Sequence, residues 1–488
     1  MKTFYWYDYE TFGLNPKVQR IAQFAGIRTN EDLEIIPKSE LELFCRPTLD
    51  SLPSPEACNV TGITPQDCEE NGLIEHEFIK RINEEFNSLD TCIVGYNSIA
   101  FDDEFTRYTL YRNLLDPYAW HAKDGNTRFD ILLLARFCYA HKEKDSLKWV
   151  YDKNKPIFKL DRLAPANAIE HSNAHDAMAD VRATIEIAKI IKQKQPKLFE
   201  YALSLNQKEQ VIKIAKKLYP MLLTSSTYGY KCSFTRMVTV ICNHPKYPKS
   251  KAIVFNLHED PRLLLDTDID KLAENLFSKK IDLDKRKEKR PGLRELAYNK
   301  NPMFVCSPKK DSLDWLHKLS PMLIEKLQID MKKCMEHLLY IQKNIKEIEN
   351  RIKQIYSKSL EFPSNEDPDQ ALYDNFISNK DRSICNQIQN LAIDEITSFK
   401  PQFEDKKLSK LFLNFKARNY PESLSDNENI LWNQIIKSRL DGKHGYLKVE
   451  SFKKSLIKLL ENSLELPEKE QDKRKKICEE LQDYANLL

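Results

Sequence analysis

Through the first 195 residues, short β-prone apolar runs alternate with longer segments whose apolar residues recur every three or four positions. Thr3–Tyr7 is a β-prone aromatic run. Ile21–Thr29 and Leu41–Arg46 follow as strands, the second alternating Leu41, Leu43 and Cys45. Cys92–Val94 reads as a buried strand closed by Gly95. Helical spacing predicts helices over Phe78–Phe86, Asp102–Arg112 and Phe129–Ala140. Asp176–Lys192 predicts an amphipathic helix that ends in a basic turn before Pro196. Elements in this order predict an α/β domain with a central sheet.

The pattern then changes. Thr227–Asn243 and Ala252–Leu257 are rich in Thr, Val, Phe and Tyr and predict a small β-unit. Lys279–Arg294 is densely charged; its run Asp284–Arg290 reads either as a solvated loop or as part of a basic surface. Pro321–Ser357 has a long helical pattern, Phe362–Asp369 reads as a linker, and the remainder to Leu488 is helical. These changes divide the chain into 1–195, 196–354 and 355–488, which suits 488 residues at roughly 150 per domain.

Composition narrows the class. With 41% hydrophobic and 31% charged residues, the chain buries real cores under a charged surface, which excludes wholesale disorder. The net charge of +3 means that any nucleic-acid groove must be a local concentration of charge. The 11 cysteines contain no CxxC pair, so neither a zinc ribbon nor a disulfide scaffold is expected. Asp8 and Glu10 interrupt the first apolar run too early for a signal peptide, and no run reaches the ~18 apolar residues of a membrane span. A soluble cytoplasmic protein is the expectation.

The candidate chemistry lies in acids. Asp8 and Glu10, two apart on a strand, point to one face. Like charges held together call for a cation, a shared proton or solvent, and a hard divalent ion is the usual answer. Asp102 and Asp103 open a helix after the Cys92–Val94 strand. They fit helix capping as well as chemistry, and spacing does not choose between them. His175 precedes Asp180 by five residues. On an ideal helix that turns it off the Asp180 face, so it is expected in the loop or first turn.

Asp8-Tyr-Glu-Thr-Phe-Gly13, Gly95-Tyr-Asn97 with Phe101-Asp-Asp-Glu104, and the segment His171–Asp180 together resemble the DEDDh class of 3′–5′ exonucleases. Within that class the chain is similar to the bacterial exodeoxyribonuclease I family along nearly its whole length. Thr61–Pro65, Asp116–Trp120, Ala371–Phe376 and Phe415–Pro421 match that family's own segments. The resemblance implies a ribonuclease-H-like exonuclease domain, a Src-homology-3-like barrel with helical insertions and a helical C-terminal domain.

It also implies the site. Asp8, Glu10, Asp102 and Asp180 would bind two Mg²⁺ ions, with Mn²⁺ as an alternative, and His175 would be the general base. Glu10, Arg107, Tyr118, Arg136, Lys159, Tyr373 and Phe376 would contact the DNA. Each contact has a plainer reading: Arg107 as a solvated helix residue, Tyr118, Tyr373 and Phe376 as core aromatics. Lys159 stands where relatives commonly have Arg, keeping the charge without the bidentate fork. Ala122 stands where relatives carry an aromatic. The implied activity is 3′-to-5′ hydrolysis of single-stranded DNA to 5′-mononucleotides in repair and recombination, by a monomer in a roofed groove, with single-strand-binding protein as partner. A DEDDh exoribonuclease and a nuclease-inactive DNA-binding scaffold are the alternatives.

Overall fold

A computed structural model describes residues 2–144, 146–171, 176–307, 313–358 and 364–486. The chain forms two compact units. Residues 1–127, 171–185 and 363–488 make the first, and residues 128–170 and 186–362 the second.

The first unit is built on strands β1 (Thr3–Thr11), β2 (Ile21–Thr29), β3 (Leu41–Cys45), β4 (Gly72–Leu73) and β5 (Thr91–Gly95). They lie in the order β4-β3-β2-β1-β5, with β1 antiparallel to β2 and parallel to β5. β1 runs four residues past the aromatic run that announces it, so Asp8 and Glu10 lie within the strand rather than beyond it. Tyr5, Tyr7 and Tyr9 alternate onto one face and pack with Phe24, Phe86, Phe105 and Trp120 in a buried aromatic core. The opposite face receives Asp8 and Glu10.

In the same unit, the helices of the C-terminal third are tied to residues near the N-terminus by buried charge. Arg20, Arg418 and Arg439 converge on Asp50 and Asp369, all under 5% exposed. Arg439 also reaches Asp367 at 2.8 Å, and Glu75 takes Arg112 at 3.3 Å. Burial opposes the charge on Asp50 and Asp369, but three guanidiniums overcome it and hold both carboxyls below the usual range.

The second unit contains a five-stranded antiparallel sheet in the order Leu293–Ala297, Lys251–Asn256, Thr235–Asn243, Pro220–Thr224, Met303–Cys306. The expected β-unit is therefore larger than its Thr- and Val-rich core. Its first residues differ from expectation: Ser226–Tyr228 and Tyr230–Cys232 are 3₁₀ turns, with Gly229 at φ 78° between them. Two other expectations need correction. Thr127–Asp130 is a strand, and the helix begins at Ile131 because the Asp130 carboxylate caps the Leu132 and Leu133 N–H groups. Pro321–Ser357 is three helices, Pro321–Lys326, Met331–Lys343 and Ile345–Ser357. In the charged run, Arg286 pairs with Glu274 and Glu288, so part of its charge is neutralised within the unit. Part of the Phe362–Asp369 linker lies outside the described residues; Pro368–Tyr373 is a 3₁₀ helix. Among the described residues no helix is long and apolar enough to cross a membrane.

Asp369→Ala would leave three guanidiniums buried beside a lost partner, which costs about 3–5 kcal/mol. Its thermal midpoint should fall well below that of the parent protein. Because Asp50 and Asp369 are held below their ordinary 3.8, this contribution is present above pH 3.8 and is lost as pH falls further. A variant melting with the parent at pH 7 would show that the cluster carries no net stability.

Candidate active site

Asp8, Glu10 and Asp180 converge, with one carboxylate oxygen from each lying within 4.8 Å of the others. Glu10 is buried; Asp8 and Asp180 are partly exposed at the edge. β1 presents the first two on one face. Asp180 comes from the first turn of the helix Ala177–Lys194, where Asp176 Oδ1 accepts the Ala179 N–H at 2.9 Å. Asp176 is thus a cap, which explains why two acids occur four residues apart with only one in the cluster.

Asp102 and Asp103 open the helix Asp102–Arg112, whose N-terminal dipole favours acids. The chain reaches that helix through Gly95, where a Cβ would sit 2.7 Å from Ser98 Cβ, and Asn97, held at φ 64°. The structure separates the two acids. Asp103 Oδ1 accepts the Tyr7 hydroxyl at 2.8 Å on the core face of β1. Asp102 acts instead on the cluster. Burial pushes the Asp8 carboxyl well above the ordinary range, and the charges of Asp102, Asp180 and Glu10 add to it in that order. Glu10 is pushed up to about 9 by burial, then by Asp180, Asp102 and Asp176. A set of hard oxygen donors that repel one another this strongly fits a divalent cation such as Mg²⁺, whose charge would reverse the penalty.

His175 lies outside the described residues. His171, which spacing did not single out, is in contact with the cluster: its buried ring Nε2 lies 2.5 Å from Asp180 Oδ1.

The expected DNA contacts fall in two places. In the first unit, Arg107 is buried rather than a solvated helix residue. Its guanidinium donates to Glu104 at 2.7 Å, lies 3.2 Å from His121 Nε2, and sits 5.7 Å from the centre of the Tyr118 ring. The Tyr373 hydroxyl donates to the other Glu104 oxygen at 2.6 Å. Glu104 and His121 join these residues and were not anticipated. Phe376, at 98% exposure, is not a core aromatic, and Tyr373 is 54% exposed. In the second unit, Arg136 stacks 5.7 Å from the Phe158 ring centre, and Lys159 is exposed ahead of the helix Leu160–Ala166.

Three family models match the chain: Exonuclease over residues 5–188, Exonuclease I SH3-like domain over 206–358 and Exonuclease I C-terminal domain over 366–488. Exodeoxyribonuclease I of Haemophilus influenzae is 38% identical over 442 residues, covering 90% of this chain and 91% of the relative. The chain belongs to the exodeoxyribonuclease I family. Membership makes it a nuclease, a hydrolase acting on DNA, and accounts for a ribonuclease-H-like domain followed by an SH3-like and a C-terminal domain. Among solved structures, E. coli Exonuclease I in complex with a dA16 oligonucleotide matches at TM-score 0.90 and 31% identity, covering 100% of both chains. The zinc-bound E. coli ExoI–ssDNA complex matches at TM-score 0.89 and 32% identity, covering 100% of this chain and 99% of that one. An exodeoxyribonuclease I-type exonuclease domain implies dependence on a divalent metal, and the acidic cluster is chemically suited to it.

The raised carboxyl of Glu10 links stability to pH. Between its ordinary 4.5 and the folded value of about 9, the unfolded chain releases a proton that the folded chain keeps. Stability of the metal-free protein, complete in this term below pH 4.5, should therefore decline as pH rises toward 9. Thermal melts in EDTA across that range should show the decline, and Glu10→Gln, which stays neutral, should flatten it. An identical slope in the variant would contradict the assignment.

Proposed function

We propose that this family member is a single-strand-specific 3′-to-5′ exodeoxyribonuclease that releases 5′-mononucleotides at the cluster of Asp8, Glu10, Asp102 and Asp180. The observation that carries the reading is the convergence of three carboxylates within 4.8 Å, with Asp102 raising two of them further. The relatives' complexes with dA16 and with single-stranded DNA support the substrate.

Asp8, Glu10, Asp102 and Asp180 would hold two Mg²⁺ ions, with Mn²⁺ able to substitute. Bound there, the ions supply a lowered pKa for the attacking water and charge stabilisation for the leaving 3′ oxygen. The protein's own groups do the rest. His175 accepts the proton of the attacking water as general base. Glu10 also lies against the terminal nucleotide. Arg107 and Tyr118 line the strand's path, as do Tyr373 and the exposed ring of Phe376, on which a base can stack. Arg136 and Lys159 contact phosphates, Lys159 as a point charge. Residues 1–195 carry the reaction, and 196–354 and 355–488 bind and retain the strand. In the cell the enzyme acts as a cytoplasmic monomer in repair and recombination, beside single-strand-binding protein.

A 5′-labelled single strand with a free 3′ end should shorten stepwise in Mg²⁺. A 3′-capped strand, blunt duplex and RNA should resist. Digestion of RNA at the same rate would favour the exoribonuclease, and no digestion at all the inactive scaffold. Asp8→Ala and Asp180→Ala should abolish turnover while leaving the fold intact. His175→Ala should lose roughly 10²–10⁴-fold in turnover and keep its affinity for single-stranded DNA. Loss of DNA binding with intact chemistry would make His175 a positioning residue instead.

A further inference from the structure

Strand β1 serves the cluster from both of its faces. One face presents Asp8 and Glu10. From the other, the Tyr7 hydroxyl donates to Asp103 Oδ1 at 2.8 Å, and the Tyr9 and Thr106 hydroxyls lie 3.0 Å apart. Thr106 Oγ1 in turn donates to the Asp102 carbonyl at 3.0 Å. All five residues are buried, so these bonds are made out of water, where an unmet partner is expensive.

Successive residues on a helix are turned by about 100°. A helix start fixed with Asp103 toward Tyr7 therefore turns Asp102 away from the core face.

We propose that Tyr7, Tyr9 and Thr106 are positioning residues: they fix the roll of the helix Asp102–Arg112, hold Asp103 to the core and leave Asp102 as the acid that completes the metal site. The inference rests on the reading of Asp8, Glu10, Asp102 and Asp180 as metal ligands. A tandem Asp-Asp at a helix start offers a cation two ligands. The aromatic face of β1 chooses between them, and the two β1 acids and their partner are set by one rigid strand.

The test is Mg²⁺ affinity by titration calorimetry on the full chain, with the Mg²⁺ concentration for half-maximal hydrolysis of a single-stranded oligonucleotide read alongside. Tyr7→Phe and Thr106→Val should each weaken Mg²⁺ binding by about 10–100-fold. Single-strand affinity in EDTA should not move, because neither side chain reaches the substrate. Asp103→Asn keeps an oxygen that accepts from Tyr7 and should bind Mg²⁺ as the parent does. Unchanged Mg²⁺ affinity in Tyr7→Phe would overturn the proposal, as would an Asp103→Asn variant as impaired as Asp102→Asn. Should Tyr7→Phe lose its cooperative melt, Thr106→Val decides, and parental Mg²⁺ affinity in it overturns the proposal. Asp102→Asn with parental Mg²⁺ affinity would sink the underlying metal reading instead, whatever Tyr7→Phe does.

Discussion

Strand β1 must hold like charges together on one face while its other face packs into the core. Two full charges no more than 4.8 Å apart repel by roughly 3 kcal/mol or more at an effective dielectric of about 20. Asp8, Glu10 and Asp180 therefore cannot all be ionised cheaply without a cation, and the carboxyls of Asp8 and Glu10 are raised first by burial and then by the neighbouring acids. What keeps the strand in place is its reverse side. Tyr5, Tyr7 and Tyr9 pack with Phe24 and Phe86 and lock the charged face at a fixed height between β2 and β5. The apolar core stabilises the very geometry that the acids oppose.

A second charge cluster solves the opposite problem. Asp50 and Asp369 are as buried as Glu10, yet both stay ionised because Arg20, Arg418 and Arg439 surround them. Desolvation makes such a cluster a poor source of net stability but an unforgiving one, since each partner is needed by several others. It fastens residues 367–369, just ahead of Tyr373, to the part of the first unit that carries the acids. Tyr373 is then fixed through Glu104, which also takes Arg107. One unit thus holds carboxylates that crowd one another and carboxylates paired with arginines, and burial alone does not tell them apart; the neighbours do.

Much of this was legible in the sequence, and the gaps have physical causes. The period of two on a strand placed Asp8 and Glu10 on one face, and helical spacing found the segments carrying Asp102 and Asp180. Spacing was silent on Asp102 against Asp103, because what sets them apart is a hydrogen bond from Tyr7, 96 residues away, to Asp103. The Arg20–Asp369 pair spans 349 residues and leaves no periodic trace. The start of the Phe129–Ala140 helix was misplaced because Phe129 extends the apolar pattern of the residues from Ile131 onward, although Asp130 between them is the cap. Pro220–Thr224, Leu293–Ala297 and Met303–Cys306 are too short to stand out as strands before their partners are known. His171 went unmarked because a loop histidine has no periodicity to betray its contact with Asp180.

The central claim is that Asp8, Glu10, Asp102 and Asp180 together hold divalent metal against a 3′ end. Anomalous diffraction from crystals soaked in Mn²⁺ with a short single-stranded oligonucleotide tests it most directly. The account predicts anomalous peaks coordinated by oxygens of these four side chains, with the terminal phosphodiester on the open side and Asp103 still bonded to Tyr7. Peaks bound by Asp103, or an acid cluster that stays empty beside a bound oligonucleotide, would contradict it.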